Sequence, residues 1–152
     1  MSFTVSPKAN PNKLFLRTRS QLELRLDPNT YHPNRVAAIA RIKDGKFEVK
    51  RLGALTSFCK TIVTELSEGD LYVGLENIEG NTGIYIPSEC KESISSAVKF
   101  KAGQVLFPKL RPYLNKVFYA DFDGISSTEF HVFDSSKIDN KYLAYFLGLP
   151  IV

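Results

Sequence analysis

Between positions 109 and 116 the chain sets Lys109, Arg111, Tyr113, Asn115 and Lys116 within eight positions, with Pro108 and Pro112 stiffening the backbone around them. These side chains suit a polyanion with readable edges. Lysine neutralises phosphate as a mobile point charge, arginine forks onto guanine O6 and N7, asparagine pairs with adenine N6 and N7, and tyrosine stacks or bonds phosphate. Ten residues further on, Ser126, Ser127, Thr128 and Glu129 form a hydroxyl-rich run closed by a carboxylate. Ser126 and Thr128 are candidates for phosphate contact, whereas Glu129 is better read as a structural partner of Arg111. A third polar segment, residues 76–83, offers Asn77, Asn81 and Thr82 among glycines that permit close approach to another surface. It reads either as a second contact loop or as a plain hairpin connection. The plain alternative for the first loop is a solvated turn whose arginine pairs with Glu76 or Glu129.

Charge alone does not identify a partner. The 152 residues carry 20 basic and 16 acidic side chains, a net charge of +4, so any nucleic-acid site must arise from local clustering. Hydrophobic residues make up 43%, enough for one ordinary core. No apolar run approaches the roughly 18 residues that span a bilayer. Cys59 and Cys90 lack Cys-x-x-Cys spacing and read as buried small side chains in a reduced, cytoplasmic setting. Nor do His32 and His131 have partners at metal-ligand spacing, and each reads as an ordinary, partly buried histidine.

The elements that must position these side chains are short. Residues 71–75, 83–86, 97–100, 105–107, 116–120 and 130–133 are β-prone runs separated by turn-forming pairs such as Gly80-Asn81, Ala102-Gly103 and Asp123-Gly124. Asp139 caps a helix starting at Asn140, with Tyr142 and Phe146, and Leu143 and Leu147, paired at i,i+4. Ser20 and Glu23 predict a capping box for a brief helix through Leu26, broken by Asp27-Pro28-Asn29. Val36, Ile39 and Ala40 fall at helical spacing, yet Asp44-Gly45 equally supports a hairpin joining residues 40–42 to 47–49. The fold class is α+β, a curled, mostly antiparallel β-sheet with peripheral helices. Residues 1–12 form a loose lead-in, and 13–152 a single domain.

Several blocks carry a family resemblance. Gly103-Gln104-Val105-Leu106-Phe107-Pro108-Lys109-Leu110-Arg111-Pro112-Tyr113-Leu114-Asn115-Lys116-Val117, then Gly124-Ile125-Ser126-Ser127-Thr128-Glu129-Phe130, then Tyr142-Leu143-Ala144-Tyr145-Phe146-Leu147, resembles the specificity subunits of type I restriction-modification systems in order and spacing. Arg25-Leu26-Asp27-Pro28, Tyr31-His32-Pro33, Leu52-Gly53 and residues 72–78 resemble further blocks. The resemblance implies one DNA target-recognition domain, cut before the long spacer helix of a larger protein. Such a domain reads one half of a split target in double-stranded DNA. It positions DNA adenine methyltransferase subunits, which use S-adenosylmethionine, and a restriction subunit. On this reading the chain has no catalytic residues, no cofactor and no metal, and Lys109, Arg111, Asn115, Lys116, Tyr113, Ser126, Thr128 and Asn77 are its DNA-binding candidates. Lys60 and Thr61, with Thr56 and Ser57, are candidates by position in the variable region after Leu52-Gly53.

Two enzymatic readings are weaker. Asp27-Pro28-Asn29-Thr30-Tyr31 departs from the Asp-Pro-Pro-Tyr motif of amino-methyltransferases by an asparagine and an inserted threonine. Asp27, Glu48 and Lys50 are laid out like a magnesium-dependent nuclease, a spacing loose enough to arise by chance. A protein-interaction module that retains the fold is the remaining alternative.

Overall fold

A computed structural model of the chain describes residues 4–22, 26–64, 69–88 and 96–149. Contacts divide the chain into two compact units, Met1–Lys50 and Arg51–Val152.

Among its described residues the first unit is built from turns and one α-helix. Thr18 N donates to Gln21 Oε1 at 3.0 Å over a single 3-10 turn, Arg19–Gln21. The partner expected for Ser20, Glu23, lies outside the described residues, as does Arg25. Asp27 accepts from Asn29 N at 3.0 Å and starts a second 3-10 turn, Pro28–Tyr31. Helix α1, Pro33–Lys43, follows with proline in its first turn. Helical spacing therefore prevails over the hairpin alternative at residues 40–42. The Arg17 guanidinium donates twice to the Tyr31 carbonyl, at 3.2 and 2.9 Å, and lies over the Phe15 ring.

The second unit opens with a single helical turn, α2 (Leu52–Leu55), and among the described residues carries eight strands in two four-stranded sheets. The strands are β1 (Ser57–Cys59), β2 (Ile62–Val63), β3 (Tyr72–Val73), β4 (Ala97–Phe100), β5 (Val105–Pro108), β6 (Phe118–Tyr119), β7 (Gly124–Ser127) and β8 (Phe130–Asp134). One sheet has the order β1-β8-β5-β6 and the other β2-β4-β7-β3. Pairing is antiparallel except for β3 with β7. The chain changes sheet between β1 and β2, β4 and β5, β6 and β7, and β7 and β8.

Strand alternation sorts the side chains. Val98 and Phe100 from one sheet, and Leu106, Phe118, Phe130 and Val132 from the other, share one buried core. On the opposite side of the second group, Val105 and Phe133 pack with Leu143 and Leu147 of helix α3, Asn140–Leu147. Asp139 caps α3 by accepting from Tyr142 N at 2.7 Å, so cap, start and buried stripe all agree with the i,i+4 pattern.

Three strands escape the propensity pattern. β1 and β2 are short segments at sheet edges, and β7 is Gly-Ile-Ser-Ser, a poor β sequence that is nonetheless central in its sheet. Packing explains the small residues of β7. A Cβ on Gly124 would lie 2.9 Å from the Phe100 ring, and Ser126, opposite Val98 in the β4–β7 register, donates its hydroxyl to the Val98 carbonyl at 3.3 Å.

Candidate nucleic-acid interface

The connection from β5 to β6 is a rigid projection with an exposed tip. Lys109 N continues the β5–β8 ladder by donating to the Glu129 carbonyl at 2.8 Å. The Lys109 ammonium reaches the Thr128 carbonyl at 2.7 Å, tying this loop to the β7–β8 turn. Arg111 then takes the left-handed conformation, φ 51° and ψ 50°, and Pro112–Leu114 form a 3-10 turn. Asn115 is left-handed as well, φ 49° and ψ 51°. Asparagine tolerates that region; arginine does so at a cost of about 1 kcal/mol or more, so surrounding bonds must hold it.

Those bonds come from the stem. Asn115 donates its amide to the Gly148 carbonyl at 2.8 Å and to Asn81 Oδ1 at 3.3 Å, while Asn81 N returns a bond to the Asn115 carbonyl at 2.9 Å. The Lys116 ammonium donates to the Leu75 carbonyl at 2.7 Å. Backbone packs directly on backbone between residues 79–84 and 114–117. A Cβ on Gly80 would stand 2.7 Å from the Leu114 carbonyl oxygen, and one on Gly83 would collide with that of Val117.

The eight expected contact residues therefore separate into tip and support. Lys109, Arg111, Tyr113 and Thr128 are exposed, Tyr113 to 78%. Among the described residues Arg111 makes no ion pair, neither with Glu129 nor with Glu76. Asn77 requires correction: it is 2% exposed, accepts from Gly74 N at 2.9 Å and donates to the Ile86 carbonyl at 3.1 Å, so it shapes the 3-10 turn Leu75–Asn77 from within. Ser126 requires the same correction, being fully buried between strands. Asn115 and Lys116 are half-buried and spend their polar groups on the stem, which makes them supports for the tip. Residues 76–83, read as a second contact loop or a connection, form the buttress of the first loop. Thr56 and Ser57 hydroxyls donate to the carbonyls of Leu52 and Asp134, whereas Lys60 and Thr61 are exposed. Cys59 is a half-buried free thiol, and Cys90 lies outside the described residues.

Two features escaped sequence reasoning. Asp134 accepts from Gln104 Nε2 at 3.0 Å, from Asn140 Nδ2 at 2.9 Å and from Ser135 N at 2.8 Å. The Gln104 bond, then that of Asn140, lowers its pKa from the ordinary carboxylate value, with burial opposing and the Ser135 amide assisting. His131 lies next along β8 from the β7–β8 turn, with Phe58 of β1 against its ring at a centroid distance of 5.0 Å. Burial, with the Lys109 charge adding to it, lowers the imidazole pKa from its ordinary value. Two-residue alternation from Phe133 back to His131 was the available signal.

Over 54 residues, 35% of this chain, the sequence is 41% identical to the type I restriction enzyme EcoDI specificity subunit of Escherichia coli. Over that stretch the chain shows homology to a type I restriction-modification specificity subunit. The matched stretch spans 12% of that relative. Fold comparison agrees. The HsdS subunit from Thermoanaerobacter tengcongensis superposes with a TM-score of 0.51 at 21% identity, over 69% of this chain and 31% of that one. A chain from a structure addressing complex assembly and conformational transition of the type I R-M system gives a TM-score of 0.50 at 23% identity, over 65% of this chain and 28% of that one. No protein-family model matches the sequence. The structural likeness is one of fold, mixed α+β with mostly antiparallel sheets, and this chain spans under a third of each of these relatives.

Proposed function

We propose that this chain is a DNA target-recognition module of a type I restriction-modification specificity subunit, with Lys109, Arg111, Tyr113 and Thr128 meeting double-stranded DNA. The observation that carries the reading is the tip itself. An unpaired arginine is held in a left-handed conformation between two prolines and a pinned asparagine, which places a forked donor in solvent on a pre-organised loop. Lysine and threonine beside it supply phosphate contacts, and the exposed tyrosine supplies a ring for stacking or a phosphate bond. Within a complete protein, such a module reads one half of a split target and positions DNA adenine methyltransferase and restriction subunits. Those partners perform methyl transfer from S-adenosylmethionine and cleavage; this chain contributes neither catalytic residues nor a cofactor, and works in the cytoplasm.

The nuclease alternative gains nothing from the geometry. Glu48 and Lys50 form an exposed ion pair at 3.0 Å, and Asp27 is occupied in capping a turn.

Fluorescence anisotropy with duplex DNA across a salt series tests the proposal. Binding by one module should be weak and fall steeply as salt rises, because phosphate contacts release counterions. Absence of binding at low salt on any duplex, including the methylation site of the parent system, or binding indifferent to salt, overturns it.

A further inference from the structure

We propose that the DNA surface extends from the loop tip onto the outer face of β8 and β1, where His131 binds a phosphate oxygen beside Lys109 and Phe58 packs against the adjoining sugar. This inference rests on the function proposed above and adds two contact residues to it. Three observations meet at the site. Phe58 is 47% exposed on an edge strand, an aromatic ring that the described residues leave about half uncovered. Its neighbours are rings as well: Phe133 at 4.8 Å and His131 at 5.0 Å, with Phe107 opposite His131 in the β5–β8 register. The half-buried imidazole is thus walled by apolar groups from β1, β5 and its own strand. Lys109 is the charged side chain that acts on it among the described residues.

An apolar wall beside a fixed cation suits a phosphodiester better than a protein carboxylate, because the sugar carbons fill the apolar part while the phosphate meets the charges. Without DNA, a positive Lys109 and an apolar setting both disfavour an imidazolium. A phosphate placed between the two cations reverses that balance, so DNA binding takes up a proton at His131. Affinity must then rise as pH falls. Each unit by which the bound phosphate raises the imidazole pKa corresponds to about tenfold in affinity at the acid end of the transition.

The experiment measures duplex affinity of the full chain at constant ionic strength from pH 8 to pH 5.5, for the native sequence, His131→Gln, Phe58→Ala and His32→Gln. Imidazole resonances of His131 are followed by NMR with and without duplex. The expected result is affinity that strengthens by about tenfold toward acid pH in the native chain and in His32→Gln, a flat profile in His131→Gln, and a several-fold loss at every pH in Phe58→Ala. DNA should also raise the His131 titration midpoint. A salt-sensitive complex whose pH profile is the same in His131→Gln, with an unmoved His131 midpoint, overturns this inference and leaves the loop-tip reading standing. Failure of every duplex to bind overturns both.

Discussion

Asn115 donates its side-chain amide to the Gly148 carbonyl at 2.8 Å, joining the base of the β5–β6 loop to the residue that ends α3. A helix packed on the sheet through Leu143 and Leu147 thereby fixes a loop that would otherwise hinge at its left-handed residue. The loop does not have to be ordered by DNA. Its rigidity lowers the entropic cost of binding, which matters for a module whose tip exposes few side chains.

Replacing Asn115 by alanine removes the bonds to Gly148 and Asn81 and places a residue less tolerant of the left-handed region at φ 49°. The expected cost is about 1–3 kcal/mol, from a lost buried partner and backbone strain together. Thermal unfolding should report it, and hydrogen exchange at residues 113–116 should quicken more than exchange in β5 or β8. Equal quickening throughout the sheets would mean that Asn115 supports the whole unit and not the loop.

Gly83→Ala should be more damaging than its position in an exposed loop implies. The new Cβ collides with the Val117 carbonyl oxygen while the backbone sits at φ +68°. Neither side can yield without parting residues 79–84 from the loop stem. A fall in melting temperature together with weakened DNA binding is expected, and Thr82→Ala, one residue away, should leave DNA binding unchanged.

Asp134 makes stability depend on acid pH. Its pKa in the folded chain is depressed by Gln104 and Asn140, so the contribution is complete above the unfolded value of about 3.9 and disappears as pH falls through the folded value. Asp134→Asn lacks this term. Melting temperatures of the two proteins should differ most at neutral pH, and the difference should shrink as pH falls below about 4, where the unfolded carboxylate begins to be protonated while the native one, with its depressed pKa, is still charged. A constant difference down to pH 2.5 would remove Asp134 as the cause.

Within the second unit, α3, β5 and β8 were easier to read than β1, β2 and β7. Helix α3 was legible because its cap, its start and its buried stripe lie within nine consecutive residues. β5 and β8 were legible from apolar, aromatic and β-branched content. β7 was not, since its serine and glycine are chosen by what presses on them from β4, a contact across 28 residues for Ser126 with Val98. The same applies to the site. Residue type singled out Lys109 and Arg111, which the fold leaves exposed, but type alone singled out Asn77 and Lys116 as well, when Asn77 is buried and Lys116 reaches a carbonyl 41 residues away. Buried polar groups seek backbone partners wherever the fold supplies them, and sequence spacing does not record that.

Arg111 allows readout and folding to be separated by one residue. Its conformation, φ 51° and ψ 50°, is one that glycine adopts freely, whereas alanine meets the same backbone strain as arginine. Arg111→Gly should therefore fold at least as well as the native chain, and Arg111→Ala about as well. Both lose the forked guanidinium. If Arg111 reads a base, both should relax sequence preference by about 1–3 kcal/mol at one position of the target, measured as methylation-site preference in the parent complex. Lys109→Ala should differ, weakening all sequences alike and lowering the salt slope by about one unit, because an ammonium discriminates charge and not base edges. Folded Arg111→Gly and Arg111→Ala proteins with an unchanged site preference would take Arg111 off the list of readers and leave it a phosphate contact at most.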